Sequence, residues 1–157
     1  MQLSENFYLG EFLRSPEAAK RNIDEQTEPD EEIIVNLEKL AVNVLQPARD
    51  HIGIAVHVSS GYRCPRLNKA VGGSSSSDHM YGRAADISVN SQRNRELFFF
   101  IKEKCEFKQL IWYYGDSEYP DFIHVSYQEG ANRGEVLVCD LVADENGVER
   151  RVYREWK

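Results

Sequence analysis

Ser77-Asp78-His79-Met80-Tyr81-Gly82-Arg83-Ala84-Ala85-Asp86 holds the densest set of chemistry-bearing residues in the chain. His79 and Asp86 lie seven positions apart. A tight turn at Gly82 brings a loop histidine and a strand carboxylate to one point, because glycine alone turns there at no steric cost. Ala84 and Ala85 are small enough for backbone to pass close to a site. Arg83–Val89 reads as a strand. A second cluster follows at Asp121-Phe122-Ile123-His124-Val125-Ser126, within a strand expected over Phe122–Tyr127. Two imidazoles, one carboxylate and a water make a tetrahedral zinc site with one open position. Taken alone, the same residues also suit ordinary packing and turn roles, and that alternative stays open at this point.

Outward from this stretch the chain reads as short helices and strands. Ile54–Ser60 alternates and is β-branched, which predicts a strand. Cys64–Val71 predicts a short helix entered at Pro65 and stopped by Gly72-Gly73. Ile33, Ile34, Leu37, Leu40, Ala41, Val44 and Leu45 fall at helical spacing. Asp30, Glu31 and Glu32 crowd the start of that helix, where its dipole favours negative charge. Pro47 requires the helix to kink or end nearby. Phe7–Leu13 reads as a turn of helix, Ser15 as the cap of a helix at Glu17–Arg21, and Asn22–Asp30 as a loop. Downstream, Arg93–Lys104 reads as a helix with Leu97, Phe98, Ile101 and Cys105 on one face. Leu110–Tyr114 and Val136–Val142 read as strands, and Val148–Trp156 as an edge strand. Helices come first and strands closed by short turns follow. The expected class is therefore α+β, a mainly antiparallel sheet with helices packed on one side.

With 157 residues the chain is expected to form one domain over 1–157. Apolar residues at 41% and charged residues at 29% exclude a disordered chain. No apolar run approaches the roughly 20 residues of a membrane helix. The opening Met1-Gln2-Leu3-Ser4-Glu5-Asn6 lacks a signal-peptide pattern, so the expected location as synthesised is cytoplasmic. A net charge of −7 argues against a dedicated nucleic-acid binder. Cys64, Cys105 and Cys139 are widely spaced and form no C-x-x-C pair, which disfavours a disulfide scaffold or an all-cysteine zinc site. Cys105 and Cys139 read as core residues.

Taken in order, the elements Ser59-Ser60-Gly61-Tyr62-Arg63, Leu67-Asn68, Val71-Gly72-Gly73, Ser77-x-His79-x-x-Gly82-x-Ala84-x-Asp86 and His124-Val125-Ser126 form a longer pattern. That pattern closely resembles the zinc D-Ala-D-Ala carboxypeptidase family, which includes phage endolysin-type peptidases. The resemblance runs from about Phe7 to Tyr127 and implies the hedgehog/DD-peptidase fold. It implies that His79, Asp86 and His124 ligate one zinc ion, with water as the fourth ligand. It places the catalytic base three residues before the last histidine, at Asp121, where many members carry the longer Glu. Residues three apart on a straight strand face opposite sides, so Asp121 and His124 share a site only if the strand starts after Asp121. Pro120 allows a loop there, and a plain turn role for Asp121 is the alternative.

The resemblance further implies that Arg63 sits near the substrate carbonyl, to stabilise an oxyanion or grip a carboxylate. The alternative is a surface arginine closing the turn after Gly61. Ser77, two before the first ligand, would bond substrate or the metal shell, or be one more serine in a flexible run. Gln109, Trp112 and Tyr114 are candidates to line the cleft, with core packing the simpler role for Trp112. His51, near a helix end, and His57, on the solvent side of a strand, are not expected to be ligands.

The activity so implied is hydrolysis of peptidoglycan stem peptides by a metal-activated water. The bond would be a terminal D-Ala-D-Ala or an internal one of the L-Ala-D-Glu type. The expected partner is a stem peptide or other D-amino-acid peptide, with no nucleic acid or membrane, and the domain is expected to act as a monomer. The lack of a leader fits a phage or prophage product released to the cell wall. The competing class is a non-catalytic zinc-containing binding or phage structural module on the same fold. An intact ligand set with Asp121 and Arg63 favours the enzyme.

Overall fold

The structure is a computed structural model describing residues 1–157. Its first quarter is helical and closed by side-chain caps. Helix α1 spans Leu9–Leu13 and α2 Pro16–Lys20. Ser15 caps α2 as expected, its hydroxyl accepting from the Ala18 N–H at 3.1 Å. The segment read as a loop contains a 3-10 turn, Asp24–Thr27. Gln26 is buried in that turn and acts as a strut. Its amide donates to the carbonyls of Tyr62 (2.7 Å) and Leu13 (3.1 Å) and accepts from the Cys64 N–H (2.9 Å).

Helix α3, Glu31–Leu40, is capped by the Asp30 carboxylate. It passes through a π turn at Ala41–Leu45 into α4, Gln46–Ile52. That turn reconciles Pro47 with a helix on both sides of it. Proline has no N–H to give and its ring needs room against the carbonyl one turn back. A widened turn supplies the room without ending the helix. Gly53, at φ 76°, closes α4 in the left-handed conformation.

The remaining elements are β1 (His57–Ser60), α5 (Pro65–Ala70), a 3-10 turn (Asp78–Tyr81), β2 (Ala84–Ser88), α6 (Asn94–Lys104), β3 (Gln109–Tyr113), β4 (Phe122–Ser126), β5 (Glu135–Ala143) and β6 (Glu149–Glu155). They form one six-stranded sheet in the order β1-β2-β4-β3-β5-β6. Every neighbouring pair is antiparallel except β3 with β5. The class is α+β, as the order of elements predicts.

Strand alternation gives the sheet two unlike faces. Ile87, Leu110, Trp112, Ile123, Val125 and Val138 join the main core with Leu37, Leu40, Leu97 and Phe98 of the helices. Ile111, Tyr113 and Cys139 form a separate small cluster, with Phe122 and Leu137 packed against it. Trp156, beyond β6, packs 5.2 Å from Trp112 and 4.9 Å from Phe98 between ring centroids, and so fastens the C-terminal hairpin to the core. The main core takes up one face of the sheet and leaves the other to carry a cleft.

Candidate metal centre

Gly82 stands at φ 67°, ending the 3-10 turn at Asp78–Tyr81. A Cβ there would come within 2.5 Å of the Ile33 carbonyl oxygen, so the turn rests directly on α3. The chain then enters β2, where Asp86 lies opposite His124 of β4. Directly opposed residues on antiparallel strands project from the same face about 5 Å apart. The pairing register therefore joins two groups far apart in sequence, and the turn at Gly82 adds His79.

The three side chains converge. Asp86 Oδ1 lies 2.9 Å from His124 Nδ1 and 3.3 Å from His79 Nε2. One ligand atom from each residue falls within 4.8 Å of the others. His79 Nδ1 lies 2.6 Å from the Gly61 carbonyl oxygen. A carbonyl only accepts, so Nδ1 carries a proton, which leaves Nε2, the nitrogen turned toward Asp86, as the one able to ligate a metal. Burial alone would raise the Asp86 carboxyl. The charge of His79 and the hydrogen bond from His124, with smaller contributions of both kinds, outweigh it and hold the group well below the usual carboxylate range. Two buried imidazoles and an ionised carboxylate form a donor set that suits zinc, and the backbone carbonyl behind His79 fixes its ring as an outer-shell partner does.

Gly61 is the point where this support meets the core. A Cβ there would sit 2.6 Å from Phe12 Cα and 2.7 Å from Phe12 Cβ. Gly61→Ala must therefore move either α1 or the carbonyl that holds His79. The expected result is a stability loss of about 1–3 kcal/mol together with weaker zinc binding. Thermal melts and zinc titration check this, and an unchanged value in both would contradict it.

An open cleft of about 610 Å³ lies over these groups. Arg63 lines it, with Nη2 donating to the Ser77 hydroxyl at 3.3 Å and Nε buried without a partner. Burial pulls its proton affinity down, Asp86 raises it, and the like charge of Arg151 lowers it again. Ser77 also lines the cleft, and its hydroxyl accepts from the His79 N–H at 3.3 Å, capping the 3-10 turn. Asp121 is not among the lining residues. It precedes β4, as the parity argument requires, and is exposed. Its N–H donates to the Tyr113 carbonyl and its carbonyl accepts from Asn94.

Gln109 lines the cleft, while Trp112 belongs to the core. The neighbouring tyrosine is Tyr113, not Tyr114. Gln109, Ile111 and Tyr113 share one face of β3, so alternation alone selects Tyr113 once Gln109 is placed. Lys108, Arg133, Leu137, Arg151 and Tyr153 also line the cleft and were not singled out in the sequence. His57 is exposed, and His51 is exposed and stacks on Phe100 at 4.4 Å.

Residues 5–126 match the family model described as Peptidase M15. The chain belongs to this family. The M15 match takes in Arg63, Ser77, His79, Asp86, Asp121 and His124, and it stops before β5 and β6. M15 membership makes the chain a metallopeptidase of a zinc-dependent family that acts on peptidoglycan-type substrates. A search of curated proteins gave no match. No helix is long and apolar enough to cross a membrane.

Proposed function

We propose that the protein is a zinc-dependent peptidase that hydrolyses amide bonds in peptidoglycan stem peptides, with His79, Asp86 and His124 as ligands of one zinc ion. The observation that carries this reading is the convergence of those three side chains under an open cleft in an M15 chain. Bound zinc would supply a Lewis acid and a water whose pKa falls toward about 7. Asp86 contributes a permanent negative charge, and each histidine a lone pair from one nitrogen. The Arg63 guanidinium faces the same space without a carboxylate partner. It is suited to receive the oxyanion that develops on the scissile carbonyl.

Hydrolysis also needs a proton acceptor that later protonates the leaving amine. Two carboxylates stand near enough in the chain to compete for the role. Asp78 lines the cleft but is held by Lys108 at 2.8 Å. Asp121 is exposed, and its carboxylate makes no hydrogen bond or ion pair. We assign the base to Asp121, because a base must be free to take a proton, and catalytic hydrogen bonds often tighten only once substrate is bound.

The test is hydrolysis of synthetic stem peptides by the zinc-loaded chain, with products identified by mass. The cleaved bond then separates a carboxypeptidase from an endopeptidase. Asp121→Asn is expected to keep one zinc and to lose turnover by about 100-fold or more. Near wild-type turnover in that variant, with a loss in Asp78→Asn instead, would move the base to Asp78. A zinc-loaded wild type that binds stem peptides and cleaves none would identify a binding module.

A further inference from the structure

The C-terminal hairpin of β5 and β6 lies outside the residues matched to the family, yet it builds one wall of the cleft. Register explains how. Tyr113 of β3 lies opposite Cys139 of β5, and Cys139 lies opposite Tyr153 of β6. The Tyr113 and Tyr153 hydroxyls meet at 2.8 Å. Two residues earlier on β6, Arg151 donates from Nε to the Tyr114 hydroxyl at 3.1 Å. That bond draws the guanidinium back over the sheet.

Four cations line the cleft: Arg63, Lys108, Arg133 and Arg151. Lys108 is neutralised by Asp78 and Arg133 by Glu135, at 2.8 and 3.1 Å. Arg63 and Arg151 have no carboxylate within ion-pair distance, and their side chains bond only hydroxyls. They carry like charges that repel one another. In a chain of net charge −7, two unneutralised guanidinium groups in one cleft form a local anion trap. A planar guanidinium fork matches a carboxylate better than any other biological anion except phosphate.

Resting on the peptidase reading above, we propose that Arg151 is a specificity-determining residue that anchors a carboxylate of the peptide substrate, at a position removed from the scissile bond. Strand spacing between backbones sets an upper bound on the distance, since Arg151 reaches back over the sheet toward Tyr114. From β4, which carries His124, to β6 is three steps in the sheet, or about 14 Å at ~4.8 Å per step. An extended peptide covers that in about four residues at ~3.3 Å each. The anchored carboxylate is either the peptide's own C-terminus or an acidic side chain within it.

The experiment uses the full zinc-loaded chain, wild type and with Arg151→Ala or Arg151→Lys. Three probes are compared: a stem pentapeptide as the free acid, its C-terminal amide, and the same peptide with its glutamate carboxylate amidated. Arg151→Ala is expected to raise KM for the free acid by roughly tenfold with kcat little changed, and Arg151→Lys is expected to fall between. For the probe that lacks the recognised carboxylate, wild type and variant should agree, which tells the C-terminus from the side chain. An equal loss on all three probes, or none on any, would overturn the proposal. Calorimetric binding of the same probes keeps the two readings apart. If wild type cleaves none of them but Arg151→Ala still weakens binding of the two probes that keep the recognised carboxylate and not of the one that lacks it, the peptidase reading falls and the carboxylate anchor stands.

Discussion

Purified His79→Ala is expected to retain no zinc, against about one ion per chain for the wild type, and to lose hydrolysis by roughly three orders of magnitude or more. The size of the effect follows from what the ring does. His79 Nε2 is one of only three donor atoms in the site, and its proton-bearing Nδ1 is already committed to the Gly61 carbonyl. No neighbouring histidine can move in, since His51 and His57 are both exposed and fall outside the cleft. Without the metal, water keeps its ordinary pKa of about 15.7 and is a poor nucleophile at neutral pH. Metal analysis beside a turnover assay checks both halves. A variant that keeps stoichiometric zinc, or that stays within tenfold of wild-type turnover, would remove His79 from the ligand set.

Stripping zinc from the wild type should lower its melting temperature by on the order of 10 °C. A ligand at a thousand times its dissociation constant stabilises the native state by about 4 kcal/mol. A domain of this size shifts by roughly 2–4 °C per kcal/mol. The metal would join a 3-10 turn to two strands, and none of those donors is prearranged in the unfolded chain. Differential scanning calorimetry before and after chelation, with metal content verified at each step, measures the shift. An unchanged transition in verified metal-free protein would mean that the site contributes nothing to the fold. Returning zinc should restore the original value.

Much of this architecture was legible from local pattern, and the reasons are specific. Ser15 names its helix because capping is chemistry between near neighbours, and the acidic run at Asp30–Glu32 marks the start of the next because the helix dipole acts over the first turn. The strand carrying His124 is readable because Ile123 and Val125 alternate with it. The triad was legible only as a resemblance, since spacing along the chain cannot show that Asp86 and His124 are opposed across two strands. What escaped depends on contacts made at long range. Gln26 reads as one polar residue in a loop, and its burial follows from partners near Leu13 and Tyr62. The π turn before Pro47 is a backbone solution that side-chain periodicity does not encode. The tail gave no motif, so completing the sheet and covering one end of the cleft were both open to it, and which of its residues wall the cleft follows from the parallel pairing of β5 with β3.

The position of β6 at the end of the sheet carries a further consequence. All seven of its residues are exposed, and its outer edge has no strand beside it. Such an edge is a template on which a second copy of the chain can continue the sheet. A two-fold antiparallel pairing centred on Val152 would set Glu149 against Glu155 and Arg150 against Arg154. Like charges directly opposed across strands repel. The strand that closes the cleft thus also discourages a second copy from pairing with its border in that register.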